Sequence, residues 1–166
     1  MIPSGNPLSK MVYIIFAAAM CMLPATGVNA KDIRMHETRT LADTLAYFDG
    51  LSFDVIGKYH QGPHWGPLPS RYEKTVREQV WRLGQNSAGI GIRFRTNAST
   101  IAVRWTVMNG TDLKHMPATG VRGVDLYALV NDRWQYVKTG FPSDLTTETI
   151  LLSSGEGQQT EYLLNL

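Results

Sequence analysis

The chain has 166 residues, 43% hydrophobic and 18% charged, with 16 basic and 14 acidic side chains for a formal charge of +2. That length suits one domain with a real core, and 15 glycines with 8 prolines exclude collagen-like, low-complexity and disordered classes. The small net charge excludes a nucleic-acid footprint, and a single cysteine excludes an internal disulfide framework or a cysteine-rich zinc site.

Met11 to Leu23 is an uncharged apolar run, preceded by Lys10 and followed by Pro24, Ala25, Thr26 and Gly27. A spanning helix needs roughly 20 apolar residues, so the run is too short to cross a membrane. A basic start, a short apolar stretch and a small-residue exit are the parts of a secretory leader. Val28-Asn29-Ala30 places small residues at the −3 and −1 positions, which predicts cleavage before Lys31. Cys21 raises the question of a lipoprotein signal, but Ala18-Ala19-Met20 puts a bulky methionine where a small residue is wanted. Residues 1–30 are therefore expected to be a signal peptide, and the mature chain of 166 − 30 = 136 residues to be secreted or periplasmic and thiol-free.

Residues 31–50 read as a polar arm or one short helix, since Leu41, Leu45 and Phe48 recur at helical spacing. The body of the domain is 51–166. Leu51 to Ile56 is a first strand candidate, ended by Gly57; residues 61–70, with three prolines and two glycines, must be a loop. Tyr72 to Gln79 is charged and undecided, and leads into Val80-Trp81-Arg82-Leu83.

The centre is clearer. Ile90, Ile92 and Phe94 alternate with Gly91, Arg93 and Arg95, and after Asn97-Ala98-Ser99 the residues Ile101, Val103, Trp105 and Val107 alternate again. Period-two runs of branched and aromatic residues are strands. They are expected to pair as a hairpin, with Phe94 opposite Ile101 or Val103. A second hairpin joins Gly123–Val130 to Trp134–Val137 across Asn131-Asp132-Arg133. A three-residue loop, which puts Trp134 and Tyr136 on the face of Leu126, Ala128 and Val130, builds a continuous core face and is preferred to a two-residue loop beside Leu129 and Tyr127. Thr147–Leu152 and Glu161–Leu166 are the last strand candidates. Many short strands with almost no helix predict an all-β antiparallel β-sandwich or jelly roll. No repeat or heptad run is visible. The apolar ending, Tyr162-Leu163-Leu164-Asn165-Leu166, is expected either to dock as a final strand or to mark a chain cut before a further domain, with an edge prone to aggregation.

Catalytic constellations are sparse. His36, His60, His64 and His115 offer no pair at metal-ligand helical spacing, because Gly62 and Pro63 forbid a helix between His60 and His64. No G-x-S-x-G elbow and no phosphate-cradling loop are present, and Gly89-Ile90-Gly91 lacks both the third glycine and the helix. No cofactor is expected. Arg93, Arg95 and Arg104 oppose the apolar face of the central strands; they could clamp carboxylates or sugar hydroxyls, form a solvated outer face, or pair across strands with Asp125. Lys114 to Gly120 is a loop whose His115 could touch a ligand or a neighbouring domain, or could be an ordinary surface histidine. Trp65 and Trp134 could stack on sugars, although tryptophans on strands are usually core.

Gly123-Val124-Asp125-Leu126-Tyr127 matches a G-x-D-L-Y signature. With Ser87-Ala88-Gly89, Arg93-Phe94-Arg95-Thr96, Val103-Arg104-Trp105 and His115-Met116-Pro117-Ala118-Thr119-Gly120-Val121 in the same order, the chain resembles the N-terminal domain that precedes the catalytic domain in secreted SGNH/GDSL-type esterases. The resemblance runs from about Trp81 to the end, and weakly from Leu51. It implies a β-sandwich similar to carbohydrate-binding modules, packed in cis on an SGNH hydrolase domain, in an enzyme that removes acyl groups from carbohydrate. In the family, the catalytic Gly-Asp-Ser block and later Asp-x-x-His lie in the following domain; this chain has no Gly-Asp-Ser string, so no catalytic residue carries over. The candidates for substrate or interdomain contact are His115, Asp125, Tyr127, Arg104 and Arg93. The alternative expectation is a stand-alone carbohydrate-binding module.

Overall fold

The computed structural model describes residues 12–17, 45–59, 62, 64–108, 115–153 and 158–166. The strands are β1 (Val12–Ala17), β2 (Leu45–Asp49), β3 (Asp54–Ile56), β4 (Gly91–Thr96), β5 (Thr100–Thr106), β6 (Val124–Val130), β7 (Arg133–Gly140), β8 (Thr146–Ser153) and β9 (Thr160–Asn165). Two short helices, α1 (Glu78–Leu83) and α2 (Ala118–Arg122), and two 3-10 turns, Gly50–Ser52 and Ser70–Tyr72, fill the connections.

The strands form two antiparallel sheets, ordered β2-β1-β5-β8 and β3-β4-β9-β6-β7. Their facing sides share one core. Ile92, Phe94, Leu164, Val124 and Leu126 come from the five-stranded sheet, and Ile101, Val103, Trp105 and Leu151 from the other. Leu126 and Ile92 have no exposure at all, and each such side chain contributes about 1.5–3 kcal/mol by burial. Phe94 stacks on Tyr162 at 5.6 Å, with Phe53 against its other side at 5.9 Å.

Three expectations are corrected. The central strands are not a hairpin: β4 pairs with β3 and β9, whereas β5 pairs with β1 and β8, so the chain crosses from one sheet to the other at Asn97-Ala98-Ser99. An arch of this kind and a hairpin both demand one apolar face per strand, and alternation alone does not separate them. Ala98 is buried at the crossing, its N–H donating to Thr96 Oγ1 at 3.0 Å. The second hairpin exists, but β6 and β7 are joined by a two-residue turn. Val130 pairs with Arg133, Leu129 with Trp134 and Tyr127 with Tyr136. Asn131 and Asp132 both take left-handed φ, 51° and 60°, the signature of the hairpin turn that matches strand twist. Trp134 and Tyr136 therefore lie outside the core, 40% and 59% exposed. Finally, β9 is no edge: it lies between β4 and β6, so Leu163 and Leu164 are in the middle of a sheet.

At the start of the body, Gly50–Ser52 is a 3-10 turn and only Asp54–Ile56 is extended, while Leu45 and Phe48, at helical spacing, lie on β2. Strand β1 falls within the apolar run of 11–23 and pairs on both sides, with β2 and β5. The remainder of 1–44 lies outside the described residues, as do His36 and His60.

Candidate functional site

The signature strand shows what each of its residues does. Val124 and Leu126 face the core at 1% and 0% exposure, so alternation turns Asp125 and Tyr127 to the outer side of the five-stranded sheet. Gly123 allows the end of α2 to press against β7: a Cβ there would stand 2.6 Å from the Thr119 carbonyl oxygen and 3.0 Å from that of Gly140. Trp105 Nε1 donates to the Arg122 carbonyl at 2.9 Å, tying α2 to the core of the other sheet.

On the outer face the register aligns side chains in rows. One row runs Gly91, Asn165, Asp125, Thr139 and the next runs Asp54, Arg93, Leu163, Tyr127, Tyr136. Tyr136 packs edge-on against Tyr127 at 5.9 Å. Thr139 Oγ1 donates to Asp125 Oδ1 at 2.5 Å. That bond uses the one threonine proton, so Tyr136 OH donates in turn to Thr139 Oγ1 at 2.9 Å.

Nearer β3 the face is charged. Arg93 and Arg95 both bind Glu161, Arg93 through Nε at 3.0 Å and Arg95 through Nε and NH2 at 2.9 and 2.8 Å. The Arg93 bond first, and the Arg95 bond second, hold the Glu161 carboxyl below its usual range. Asp54, Arg93, Phe94, Arg95 and Glu161 line an open depression of about 260 Å³.

Arg104 lies elsewhere, on the outer side of the four-stranded sheet. Its Nε donates to Glu148 Oε2 at 2.7 Å, its NH2 to Tyr47 OH at 2.7 Å, and its guanidinium carbon stands 4.1 Å from the centre of the Tyr47 ring. Tyr47 OH donates to Glu148 Oε1 at 2.7 Å. Burial, then the Glu148 bond, push the Tyr47 phenol up to about 12.

Of the sequence candidates, Asp125, Tyr127 and Arg93 thus share one face. Arg104 is on the opposite face, and His115 is exposed ahead of α2. Of the alternatives open for the arginines, cross-strand pairing is the one seen, but with Glu161 and Glu148 and not with Asp125. Trp65 is buried in the core at 3% exposure and offers no stacking surface, whereas Trp134 does. Among the described residues no group of three or more His, Cys, Asp or Glu side chains could hold a metal ion, and no helix is long and apolar enough to cross a membrane.

Three of the family strings, Ser87–Gly89, His115–Val121 and the start of Gly123–Tyr127, lie toward one end of the five-stranded sheet, while Arg93–Thr96 runs away from it along β4. Leu166 N–H donates to the Ile90 carbonyl at 3.0 Å, which brings the last residue beside the Ser87–Gly89 turn. Asp125 pairs with Asn165, so α2 and Gly123 meet the sheet at the same end. A protein from Bacteroides ovatus, described as a GDSL-like lipase, has a crystal structure similar to this chain, with a TM-score of 0.65 and 28% identity. The match covers 69% of this chain and 34% of that one, so the chain spans about a third of the relative's length. No curated protein matches. The model of the family described as GxDLY, the N-terminus of SGNH-hydrolase-type esterases, matches residues 45–166, and the chain belongs to that family.

Proposed function

We propose that this domain is the non-catalytic N-terminal part of a secreted or periplasmic SGNH/GDSL-type serine esterase acting on acylated carbohydrate. In this reading it braces the catalytic domain in cis and helps to shape the substrate cleft, with His115 and the Gly120–Tyr127 segment as contacts. The observation that carries it is the convergence of α2, Gly123, the Ser87–Gly89 turn and Leu166 at one end of the sheets. A domain following Leu166 would meet the family's signature residues there. Met116 and Phe141, 44% and 68% exposed, flank α2 and the end of β7 and supply apolar surface for such a neighbour.

The purified chain should hydrolyse p-nitrophenyl acetate at the background rate only, since it holds no Gly-Asp-Ser block. Protein-dependent turnover above background overturns the non-catalytic assignment. Export through residues 1–30, with cleavage after Ala30 and without lipidation of Cys21, and a jelly-roll relationship to carbohydrate-binding modules belong to the same proposal. A second reading, a free-standing carbohydrate-binding module, draws on the exposed rings of Trp134 and Tyr136.

A further inference from the structure

Two strands of the outer face carry a graded line of side chains. From the turn inward, β7 presents Trp134, then Tyr136, then Thr139, and their partners on β6 are Leu129, Tyr127 and Asp125. The line starts beside the Asn131-Asp132 turn and ends beside Asn165, at the Leu166 end of the sheet. A bulge between Leu126 and Tyr127 keeps the sequence in phase: it lets Thr139, three residues after Tyr136, return to the outer face. Aromatic surface thus gives way along the strand to a carboxylate that accepts from the Thr139 hydroxyl, itself bonded by Tyr136 OH.

We propose that this line is a binding track for a neutral polysaccharide chain lying along β6 and β7. Tryptophan and tyrosine rings present a flat apolar surface with a polar rim, which suits the C–H faces of pyranose rings. Successive outward residues on a strand stand about 7 Å apart, a spacing on the scale of one sugar unit. Asp125 accepts from Thr139 and keeps its second oxygen for a sugar hydroxyl. The charges argue for a neutral ligand. Arg93 and Arg95 are held by Glu161, Lys138 Nζ donates to the Ile150 carbonyl on the other sheet, and alternation puts Arg133 on the opposite face from Trp134. An acidic glycan would meet Asp125. The apolar strip is one strand pair wide and bordered by the Arg93–Glu161–Arg95 group, a shape that fits an extended chain better than a flat protein surface.

The track rests on the accessory reading only for its direction, which leads a bound chain toward the end where the catalytic domain is proposed. The test is calorimetry of the full chain with cellohexaose, xylohexaose, mannohexaose and chitohexaose, repeated with W134A, Y136A and R95A. Near-UV circular dichroism checks that each variant is folded, and either aromatic variant alone suffices. The expected result is saturable heat with at least one hexasaccharide, weakened at least tenfold by W134A or Y136A and unchanged by R95A. No heat with any of the four, or binding indifferent to both aromatic variants, overturns the track. A dimer in sedimentation equilibrium that W134A dissolves would give the face to a second copy and also overturn it. Binding by a chain whose gene encodes no hydrolase would leave the track standing and remove the accessory reading; a hydrolase without binding would do the reverse.

Discussion

Thr139 and Asp125 face each other across the bulged pairing of β6 and β7, and the threonine hydroxyl donates to the carboxylate at 2.5 Å. The same oxygen accepts from Tyr136, so one side chain fixes both the signature aspartate and the exposed ring. Thr139→Val keeps the branched shape that suits a strand and removes both bonds. The expected loss is about 1 kcal/mol in urea unfolding, at the modest end because the site is half-exposed. An unchanged midpoint would show that the hydroxyl chain does not hold Asp125.

Gly123 is required by contact and not by its backbone angle, which is an ordinary −70°. The Cβ of Gly123→Ala would meet two carbonyl oxygens, at 2.6 and 3.0 Å, that belong to α2 and β7. Neither can yield without shifting the backbone, and overpacking of this kind costs about 1–3 kcal/mol. Chemical denaturation of the variant checks it. Gly89→Ala is the contrast. Nothing lies within 4 Å of its Cβ, and only its φ of +82° penalises the change, by about 1 kcal/mol.

Tyr47 should ionise late. Its folded pKa of about 12 lies above the ordinary 10.0, so the folded state holds the phenolic proton more tightly. That contribution to stability is whole below pH 10 and is lost as pH rises from 10 through 12. The difference in phenolate absorbance between wild type and Tyr47→Phe gives the titration directly. Glu148→Gln removes the charge that opposes ionisation, although not the burial, and should lower the midpoint. A midpoint indifferent to Glu148→Gln would contradict the network.

Export and β1 compete for the same residues. Cleavage after Ala30 removes Val12–Ala17, and with it the strand between β2 and β5. The Tyr47–Arg104 contact already spans these two strands, so their freed edges would have a partner in each other. Protein recovered from the periplasm or medium should begin at Lys31 and keep its β-rich circular dichroism. An amino terminus at Met1 would contradict the export reading and retain β1.

The faces of the strands were legible and their neighbours were not. Alternation around Ile92 and Val103 correctly tells which side is buried, but it is blind to whether the next strand returns beside its predecessor or crosses to the other sheet. The β6–β7 register was readable from Asn131-Asp132, a pair suited to left-handed turn positions; preferring a continuous core face misplaced Trp134 and Tyr136, because the edge strand β7 has little above it to be buried against. Asp125 and Tyr127 could be placed outward from Val124 and Leu126 alone. Glu161 and Glu148, which take the arginines, lie 68 and 44 residues from Arg93 and Arg104, and no local pattern connects them.

The central claim, an accessory domain that precedes a hydrolase, is tested most directly by reading the gene past the codon for Leu166. The expected result is coding sequence, in frame or displaced by a frameshift, for a Gly-Asp-Ser block followed by an Asp-x-x-His. A genuine stop with no hydrolase encoded beyond it would contradict the claim.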